Sequence, residues 1–305
     1  MRITIIGSGA LACLFGARLS TVTPVCLLGS WKDGLAAIER EGIRVESAVG
    51  SVTAWVRPTN KDAIASPAEV VLVLVKSWQT ERAAQQAQRV LSSDGLVITL
   101  QNGLGNYETL AAYVGEEHTA LGVTSQAATL IRPAHIRHAG IGDTHLGFTQ
   151  ATRDRLSAVA QLFNSAGLPT RLTSALDKMV WAKLAANSSI NPLTALLQIP
   201  NGELLARPDA EALMFAAAKE TAAVAEAKGV KLPLDTAQRV RAIARATAEN
   251  YSSMYQDISR GAPTEIEAIN GAIVREAIAL HVPVPLNNIL AQLVRATRQP
   301  STNSV

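Results

Sequence analysis

Short runs of apolar and β-branched residues alternate with helical periods through the first half of the chain. The runs predict strands over residues 2–6, 25–28, 69–75 and 96–100. Residues 43–47 and 51–56 alternate apolar and polar positions around Val49-Gly50, which predicts a hairpin at the edge of the sheet. Three short strand-like runs between Thr119 and Phe148 precede a helix over residues 153–166. This alternation predicts an α/β unit with a parallel sheet.

After Leu172 the strand pattern gives way to stretches rich in Ala and Leu that repeat with the helical period. They predict helices over residues 174–191, 207–228, 234–258 with a break, 264–280 and 286–297, and a frayed tail over residues 299–305. The length of 305 residues also suggests two domains. We therefore expect an α/β domain over residues 1–172 and an all-α domain over residues 173–305.

The stretch from Leu176 to Pro192 carries polar residues where a buried helix usually has none. As a helix it places Lys183, Asn187 and Asn191 at i, i+4 and i+8, about 40° apart around the axis, so that they form one stripe. Burying these groups costs several kcal/mol unless partners meet them, which favours a ligand or a facing domain. The alternative is that Lys183 extends to water and the asparagines cap neighbouring loops.

Pro192 ends this stripe. It has no backbone N–H, and it pushes Asn191 away from helical geometry, so we expect the helix to kink or stop there. A carbonyl near Asn191 is then freed for another partner.

Composition narrows the classes of function. The formal net charge of +3 and the pI near 9.0 are mild, no long block of like charges occurs, and aromatic residues make up only 4%, so a nucleic-acid partner is not indicated. No apolar run approaches the roughly 18 residues of a membrane span and no signal-peptide pattern is present, which predicts a cytoplasmic protein without a membrane partner.

The cysteines and histidines give no sign of a metal. Cys13 and Cys26 lie inside apolar segments, which indicates core positions rather than a disulfide framework. His135, His138 and His145 alternate with apolar residues and lack ligand spacing, so we interpret them as strand positions and expect no metal.

A glycine-rich turn follows the first strand directly and opens a helix. Its residues are Gly7, Ser8, Gly9, Ala10, Leu11 and Ala12. In this G-x-G-x-x-A pattern Gly7 permits the tight turn, Gly9 lets a pyrophosphate approach the backbone, and Ala12 packs helix on strand. Adenosylmethionine enzymes use similar patterns, but the position between a strand and a helix favours a dinucleotide.

The end of the second strand bears on which dinucleotide binds. Sites that prefer NAD usually place Asp or Glu there, and this chain has Leu28-Gly29 instead. The hydroxyl of Ser30 and the ammonium of Lys32 could receive a 2′-phosphate, which favours NADP over NAD. The alternative is that Lys32 is a surface residue at the start of the next helix.

Polar side chains follow the later strands. Lys76 and Gln79 come after residues 69–75, and Asn102 comes after residues 96–100. Ligands of parallel sheets bind beyond the carboxyl ends of the strands, so we predict that these three residues line the site. Each also has a simpler interpretation, Lys76 as a strand terminator and Asn102-Gly103 as a turn.

Two segments of the helical half add polar groups. Hydroxyls and amides collect over residues 250–258, inside an apolar region. Thr264 and Glu267 have the spacing of a capping box, which would account for Glu267. Glu265 is not needed for that box, and the helix dipole offers an alternative reason for an acid in a first turn.

With these residues set out, the chain resembles the ketopantoate reductase (2-dehydropantoate 2-reductase) family over nearly its full length. The segments that carry the resemblance are ITIIGSGALA, VLVKSWQT, ITLQNGLGN, WAKLAANSSINPLTAL, IPNGEL, ENYSSMYQDISRGAPTEIEAINGAIV and HVPVPLNN. The resemblance implies an N-terminal Rossmann-type domain that binds NADPH and an all-α C-terminal domain of the 6-phosphogluconate dehydrogenase C-terminal-like type. It also implies reduction of ketopantoate to pantoate in pantothenate biosynthesis.

The resemblance assigns roles to individual residues. It implies that Lys183 is the general acid, that Ser253 grips the carboxylate region of the substrate and that Glu265 holds its terminal hydroxyl. The remaining positions are Asn187 and Asn191 for the substrate, and residues 7–12, Lys76, Gln79 and Asn102 for the cofactor and active site. One departure is Gly29, which stands where family members commonly have an arginine for the 2′-phosphate of NADPH.

Other functions fit parts of this pattern. A related reductase would act on another 2-keto acid or on an imine, and a non-catalytic protein that senses NADP(H) would need the glycine turn alone. For the ketopantoate reductase and for the related reductase alike, the substrate is a small molecule. The helical half could also support a homodimer.

Overall fold

The computed structural model describes residues 1–232 and 235–297. The chain forms two compact units. The first unit consists of Met1–Gln101 and Gly105–Leu176, and the second consists of Asn102–Leu104 and the chain from Asp177 onward. The tail expected to fray over residues 299–305 and the expected helix start at residue 234 lie outside the described residues.

Strands and helices alternate along the first unit. In chain order they are β1 (Ile3–Ile6), α1 (Ala10–Leu19), β2 (Val25–Leu28), α2 (Lys32–Glu41), β3 (Ile43–Ser47), β4 (Gly50–Ala54), β5 (Arg57–Thr59), α3 (Asp62–Ala65), β6 (Ala68–Val73), α4 (Thr80–Val90), β7 (Leu91–Thr99), α5 (Asn106–Val114), β8 (Thr119–Thr124), β9 (Ala127–Arg132), β10 (His135–Gly140), β11 (Thr144–Gly147), α6 (Arg153–Ser165) and β12 (Thr170–Thr173).

The main sheet of this unit is doubly wound. Its eight strands follow the order β12-β11-β8-β7-β6-β1-β2-β5, and those from β8 to β5 run parallel, while β11 is antiparallel to β8. Ile3 and Ile5 join a core with Phe15 and Phe163 of α1 and α6. Ile6, which points the other way, joins a core with α3, α4 and α5. The predicted α/β class is confirmed.

A second, four-stranded sheet has the order β4-β3-β10-β9. The hairpin around Val49-Gly50 forms as predicted, but its expected place at the edge of the main sheet is wrong, because β5 takes that edge beside β2. Ile43, Val45 and Ile136 of this sheet pack in one core with Leu14 of α1. The hairpin therefore pairs outside the main sheet and is held by this core, to which Leu27 of β2 also contributes.

The predictions for the short strands were partly correct. His135 and His138 lie in β10 and His145 lies in β11, as predicted. The strands β9 and β12 were missed. β9 lacks clean alternation, and β12 has only four residues.

The second unit is helical. Its helices are α7 (Leu176–Leu197), α8 (Pro208–Ala227), α9 (Thr236–Ala246), α10 (Ser253–Ser259), α11 (Asn270–Leu280) and α12 (Pro285–Ala296). The predicted break in the third helix is confirmed between α9 and α10. Two cores hold the unit together, one around Trp181 and Ile273 and one around Ile190 and Met214.

The helix α7 continues past Pro192 to Leu197, so it does not stop at this proline, and the alternative expectation of a kink there stays a prediction. Pro192 cannot donate to the Ser188 carbonyl, but the side-chain Nδ2 of Asn270 donates to that carbonyl at 2.9 Å. The expectation of a freed carbonyl is therefore correct. The amide of Asn270 replaces the missing backbone donor.

The helix expected from residue 264 begins only at Asn270, and the proposed capping box is wrong. Residues 265–269 form a turn, in which the Glu265 carbonyl accepts from the N–H groups of Ala268 and Ile269. Glu267 pairs with Arg295 instead, with Nε to Oε1 at 2.6 Å. Glu265 therefore lies in this turn and not in the first turn of a helix.

Candidate functional site

The glycine turn joins β1 to α1. Gly7 has φ +130° and its N–H donates to the Leu28 carbonyl at 2.8 Å. A Cβ at this position would lie 2.9 Å from the Leu74 carbonyl oxygen. Only glycine both adopts this positive φ readily and lacks the Cβ for which there is no room. Gly7 therefore lets the turn pass between the ends of β2 and β6.

The N-terminus of α1 fits a phosphate. Gly9 is the residue before the helix, no side chain among the described residues caps it, and the first turn contains no acidic residue. A Cβ built on Gly9 meets no atom of the described residues within 4 Å. The first N–H groups of a helix have no intrahelical acceptor, and open space adjoins Gly9 at the positive end of the helix dipole, which suits a pyrophosphate. Ala12 is fully buried, as packing on the strand requires.

The end of β2 is crowded at Gly29. A Cβ there would lie 3.0 Å from Ser8 Oγ and 3.4 Å from Leu35 Cδ2, so a larger residue would have to displace the Ser8 side chain. Ser30 and Lys32 are exposed beyond this point, where a 2′-phosphate could reach them. Asp33 is also exposed in the first turn of α2, and its carboxylate was not among the predicted site residues.

Lys76 and Gln79 lie on the tight turn between β6 and α4. Both are half-buried, and residues 77–79 form a single 3₁₀ turn in which the Gln79 N–H donates to the Lys76 carbonyl at 2.8 Å. The hydroxyl of Thr80 donates to the Ser77 carbonyl at 2.8 Å. These two hydrogen bonds close the turn internally.

In the second unit, Asn102 lies beside Glu265. Asn102 Nδ2 donates to Glu265 Oε2 at 3.3 Å, and Glu265 is only 5% exposed. The Leu104 N–H donates to the Ala268 carbonyl at 2.9 Å. Gly103 has φ +85°, and any Cβ there would overlap that same carbonyl. Glycine is therefore required for Asn102 to reach the turn that carries Glu265.

The amine of Lys183 interacts electrostatically with the Glu265 carboxylate. Burial disfavours the charged form and lowers the pKa of Lys183 from 10.5 to about 8, while the Glu265 carboxylate acts in the opposite direction. The helix α7 therefore carries an ammonium that gives up its proton far more readily than a surface lysine. An amine of this kind, next to a carboxylate, is suited to proton donation near neutral pH.

The other predicted substrate residues lie along α7 and at the start of α10. Asn187 is half-buried and Asn191 is buried, both on the face of α7 that carries Lys183. Ser253 is exposed at the first position of α10. Its neighbour Ser252 is buried, caps α10 by accepting from the Tyr255 N–H at 3.1 Å, and accepts from Thr194 Oγ1 at 2.8 Å.

No group of three or more His, Cys, Asp or Glu residues in residues 1–232 and 235–297 is placed to hold a metal ion. Among the helices of those residues, none combines the length and apolarity needed to cross a bilayer.

Comparison with known protein families gives two matches that together cover most of the chain. The family "Ketopantoate reductase PanE/ApbA" matches residues 3–151, and "Ketopantoate reductase PanE/ApbA C terminal" matches residues 175–298.

Individual relatives agree with this result. A 2-dehydropantoate 2-reductase of Halobacterium salinarum is 37% identical over 304 residues, which cover 98% of this chain and 99% of the relative. The solved structure of a PanE/ApbA family ketopantoate reductase from Ralstonia eutropha has 35% identity and a TM-score of 0.90, with 98% of each chain covered. A D-mandelate dehydrogenase solved with NADH and anilino(oxo)acetate has 25% identity and a TM-score of 0.91, again with 98% of each chain covered.

Proposed function

The chain belongs to the ketopantoate reductase family, and we propose on this basis that it is an NADPH-dependent 2-dehydropantoate 2-reductase. It reduces the C2 ketone of ketopantoate to the alcohol of pantoate, a step of pantothenate biosynthesis. The observation that carries this proposal is the group formed by Lys183, Glu265 and Asn102, since it combines a proton donor of lowered pKa with a buried carboxylate.

The two halves of the chain bind different molecules, the cofactor and the keto acid. Residues 1–172 bind the cofactor, through the glycine turn of residues 7–12 and through Lys76, Gln79 and Asn102, with Ser30 and Lys32 at the 2′-phosphate. Residues 173–305 bind the keto acid. Bound NADPH supplies the hydride that is added to C2.

Lys183 then acts on the carbonyl oxygen. As C2 is reduced, negative charge develops on that oxygen, and an ammonium held against it stabilises the charge and donates the proton that completes the hydroxyl. The pKa of about 8 supports this role, because the amine is still protonated at neutral pH and yet releases the proton easily.

The remaining side chains orient the substrate. We assign Asn187 and Asn191 to hydrogen bonds with the keto acid and Ser253 to its carboxylate region. Glu265, supported by Asn102, accepts the hydrogen bond of the terminal hydroxyl. A substrate without that hydroxyl leaves the buried carboxylate without this partner, which gives the site a means to discriminate.

The proposal is tested by the loss of NADPH absorbance after ketopantoate is added. We expect Lys183→Met to lower kcat by about 10²- to 10⁴-fold with little change in the Kd for NADPH, since an aligned proton donor contributes about that much. Lys178 is an exposed lysine on the same helix, so Lys178→Met is the matched control and keeps full activity. Full turnover by Lys183→Met would refute the assignment.

A second candidate is an NADH-dependent reductase of a different 2-keto acid. Two observations favour it: the likeness to a D-mandelate dehydrogenase solved with NADH, and the glycine at position 29. Rates with NADPH and NADH are compared for ketopantoate, for ketoisovalerate, which lacks the hydroxymethyl group, and for phenylglyoxylate. A higher rate with ketoisovalerate or phenylglyoxylate than with ketopantoate would replace ketopantoate as the proposed substrate. Inactivity with all three 2-keto acids would favour the NADP(H)-sensing protein.

A further inference from the structure

The side chain of Gln101 forms a network of hydrogen bonds just beyond the end of β7. Its Nε2 donates to the Val75 carbonyl at 2.9 Å and to Thr80 Oγ1 at 2.9 Å. Its Oε1 accepts from Thr99 Oγ1 at 2.9 Å. All these residues belong to the first unit.

The hydrogen bonds of the network permit only one orientation of the Gln101 amide. Both N–H groups have acceptors and the oxygen has a donor, so a flipped amide would set its oxygen against the Val75 carbonyl. The position of the Thr80 hydroxyl is restrained further, because it lies 2.8 Å from Asn106 Oδ1 and 2.8 Å from the Ser77 carbonyl oxygen. These hydrogen bonds hold the Gln101 amide in one orientation at a part-buried position.

Gln101 fixes both ends of one short segment. Val75 directly precedes Lys76, and Thr80 directly follows Gln79. A single amide group therefore joins the first and last supports of the turn that carries both side chains. Without it, the turn keeps its internal hydrogen bonds but loses its link to the end of β7.

We propose that Gln101 is a positioning residue for dinucleotide binding, which fixes the turn of residues 76–79 through Val75 and Thr80. The inference deepens the proposed function and rests on it, since it takes Lys76 and Gln79 as cofactor contacts. Gln101 does not touch the cofactor itself. Its loss weakens binding of the dinucleotide because a mobile turn must be ordered at each binding event.

The test measures the Kd for NADPH in the absence of keto acid, by titrating nicotinamide fluorescence. Gln101→Glu replaces the donating amide with an acceptor that the Val75 carbonyl repels, and we expect it to raise this Kd by about 10-fold or more, with one binding site per folded chain retained. A purely structural defect would instead reduce the number of binding sites and leave the Kd unchanged.

A matched pair at Thr80 keeps the inference testable even where Gln101→Glu does not fold. Thr80 is 4% exposed, so Thr80→Val keeps the packing and removes the hydroxyl, whereas Thr80→Ser retains it. We expect Thr80→Val to raise the Kd for NADPH and Thr80→Ser to leave it near the wild-type value. Equal affinities for these two variants would overturn the inference.

A control for loss of any buried hydroxyl is available in the same sheet. Thr144 Oγ1 lies 2.8 Å from Thr124 Oγ1, and Thr144 is fully buried. Thr144→Val should lower the unfolding temperature without changing the Kd for NADPH. A raised Kd here would show that general destabilisation explains the Gln101 effect. If the wild-type chain bound neither NADPH nor NADH, the proposed function itself would fail and this inference with it.

Discussion

At the scale of single residues, the pair of Lys183 and Glu265 sets the pH dependence that we expect of the reaction. In the proposed mechanism the Lys183 ammonium is the acid, and its pKa is lowered to about 8, so we expect the donor to be present below that pH and lost above it. We predict that kcat/KM for ketopantoate is level up to about pH 7 and falls about tenfold per pH unit well above 8. Initial rates of NADPH oxidation across this range check the prediction.

Glu265→Gln sharpens the same prediction. The carboxylate raises the pKa of Lys183, so its removal lowers that pKa further and moves the falling limb to lower pH. Asp177→Asn, an exposed change on α7, is the control and should leave the limb in place. If the fall of kcat/KM at high pH occurred at the same pH in Glu265→Gln as in the wild-type chain, the carboxylate would not affect the pKa of Lys183.

The residues of this site were predictable to different degrees. The stripe of Lys183, Asn187 and Asn191 could be inferred because helical spacing is local. The hydrogen bond from Asn102 to Glu265 could not, since it joins residues 163 positions apart. The same limit applies to Gln101, whose role depends on partners brought from β6 and α4.

At the scale of elements, α7 depends on a side chain to cross Pro192. Asn270 Nδ2 also donates to Asn287 Oδ1 at 3.0 Å, and Asn287 Nδ2 donates to Glu220 Oε2 at 2.8 Å. The Glu220 carboxylate in turn accepts from the backbone N–H groups of Leu286 and Asn287 at the start of α12. One chain of polar groups thus links α7, α11, α12 and α8.

We predict that Asn270→Ala lowers the free energy of unfolding by roughly 1–3 kcal/mol, because the buried Ser188 carbonyl loses its donor. Pro192→Ala restores a backbone N–H at the position that would bond this carbonyl. In the Asn270→Ala background it should therefore recover about 1 kcal/mol, and in the wild-type chain it should have a smaller effect. Urea unfolding of the four proteins measures the coupling, and additive effects would contradict the prediction.

Prediction of the elements failed where tertiary partners overrode local rules. Thr264 and Glu267 have the spacing of a capping box, yet Arg295 draws Glu267 away, and Thr264 Oγ1 is buried without a hydrogen-bond partner within residues 1–232 and 235–297. The hairpin after α2 has correct local signals, but its neighbour is β10, about ninety residues later in the chain. Strand and helix periods themselves were reliable because core packing enforces them.

At the scale of the whole molecule, charge should influence the choice of dinucleotide. The net charge is +3, and the exposed Lys32 lies at the proposed 2′-phosphate position. We predict that the Kd for NADPH rises more steeply with salt than the Kd for NADH, because screening between 0.1 M and 1 M salt shortens the Debye length from about 10 Å to about 3 Å.

Lys32→Gln should weaken NADPH binding by about fivefold and leave NADH nearly unchanged, since an exposed charge pair contributes about 1 kcal/mol or less. The control is Lys61→Gln, which removes the same charge at an exposed position elsewhere in the first unit. Equal salt slopes for the two dinucleotides in the wild-type chain would exclude a 2′-phosphate contact with Lys32.

The fold class could be predicted as a whole, because it follows from the order of strands and helices and from a glycine turn that admits few alternatives. The identity of the keto acid does not follow from the fold. Solved structures of the same architecture include a 2-dehydropantoate 2-reductase and a D-mandelate dehydrogenase. We expect substrate choice to depend on a few side chains such as Glu265, which can change while the fold is kept.

Asn102–Leu104 belong to the helical unit, although they lie far upstream of its other residues in the chain. The polypeptide passes from one unit to the other after residue 101, returns after residue 104 and crosses again after residue 176. Leu104 packs against the core that contains Trp181 and Ile273. A gene split at codon 176 would therefore deprive the downstream fragment of an apolar side chain and of the Leu104 donor to Ala268. Recombinant production of an isolated C-terminal half needs a grafted substitute for that tripeptide.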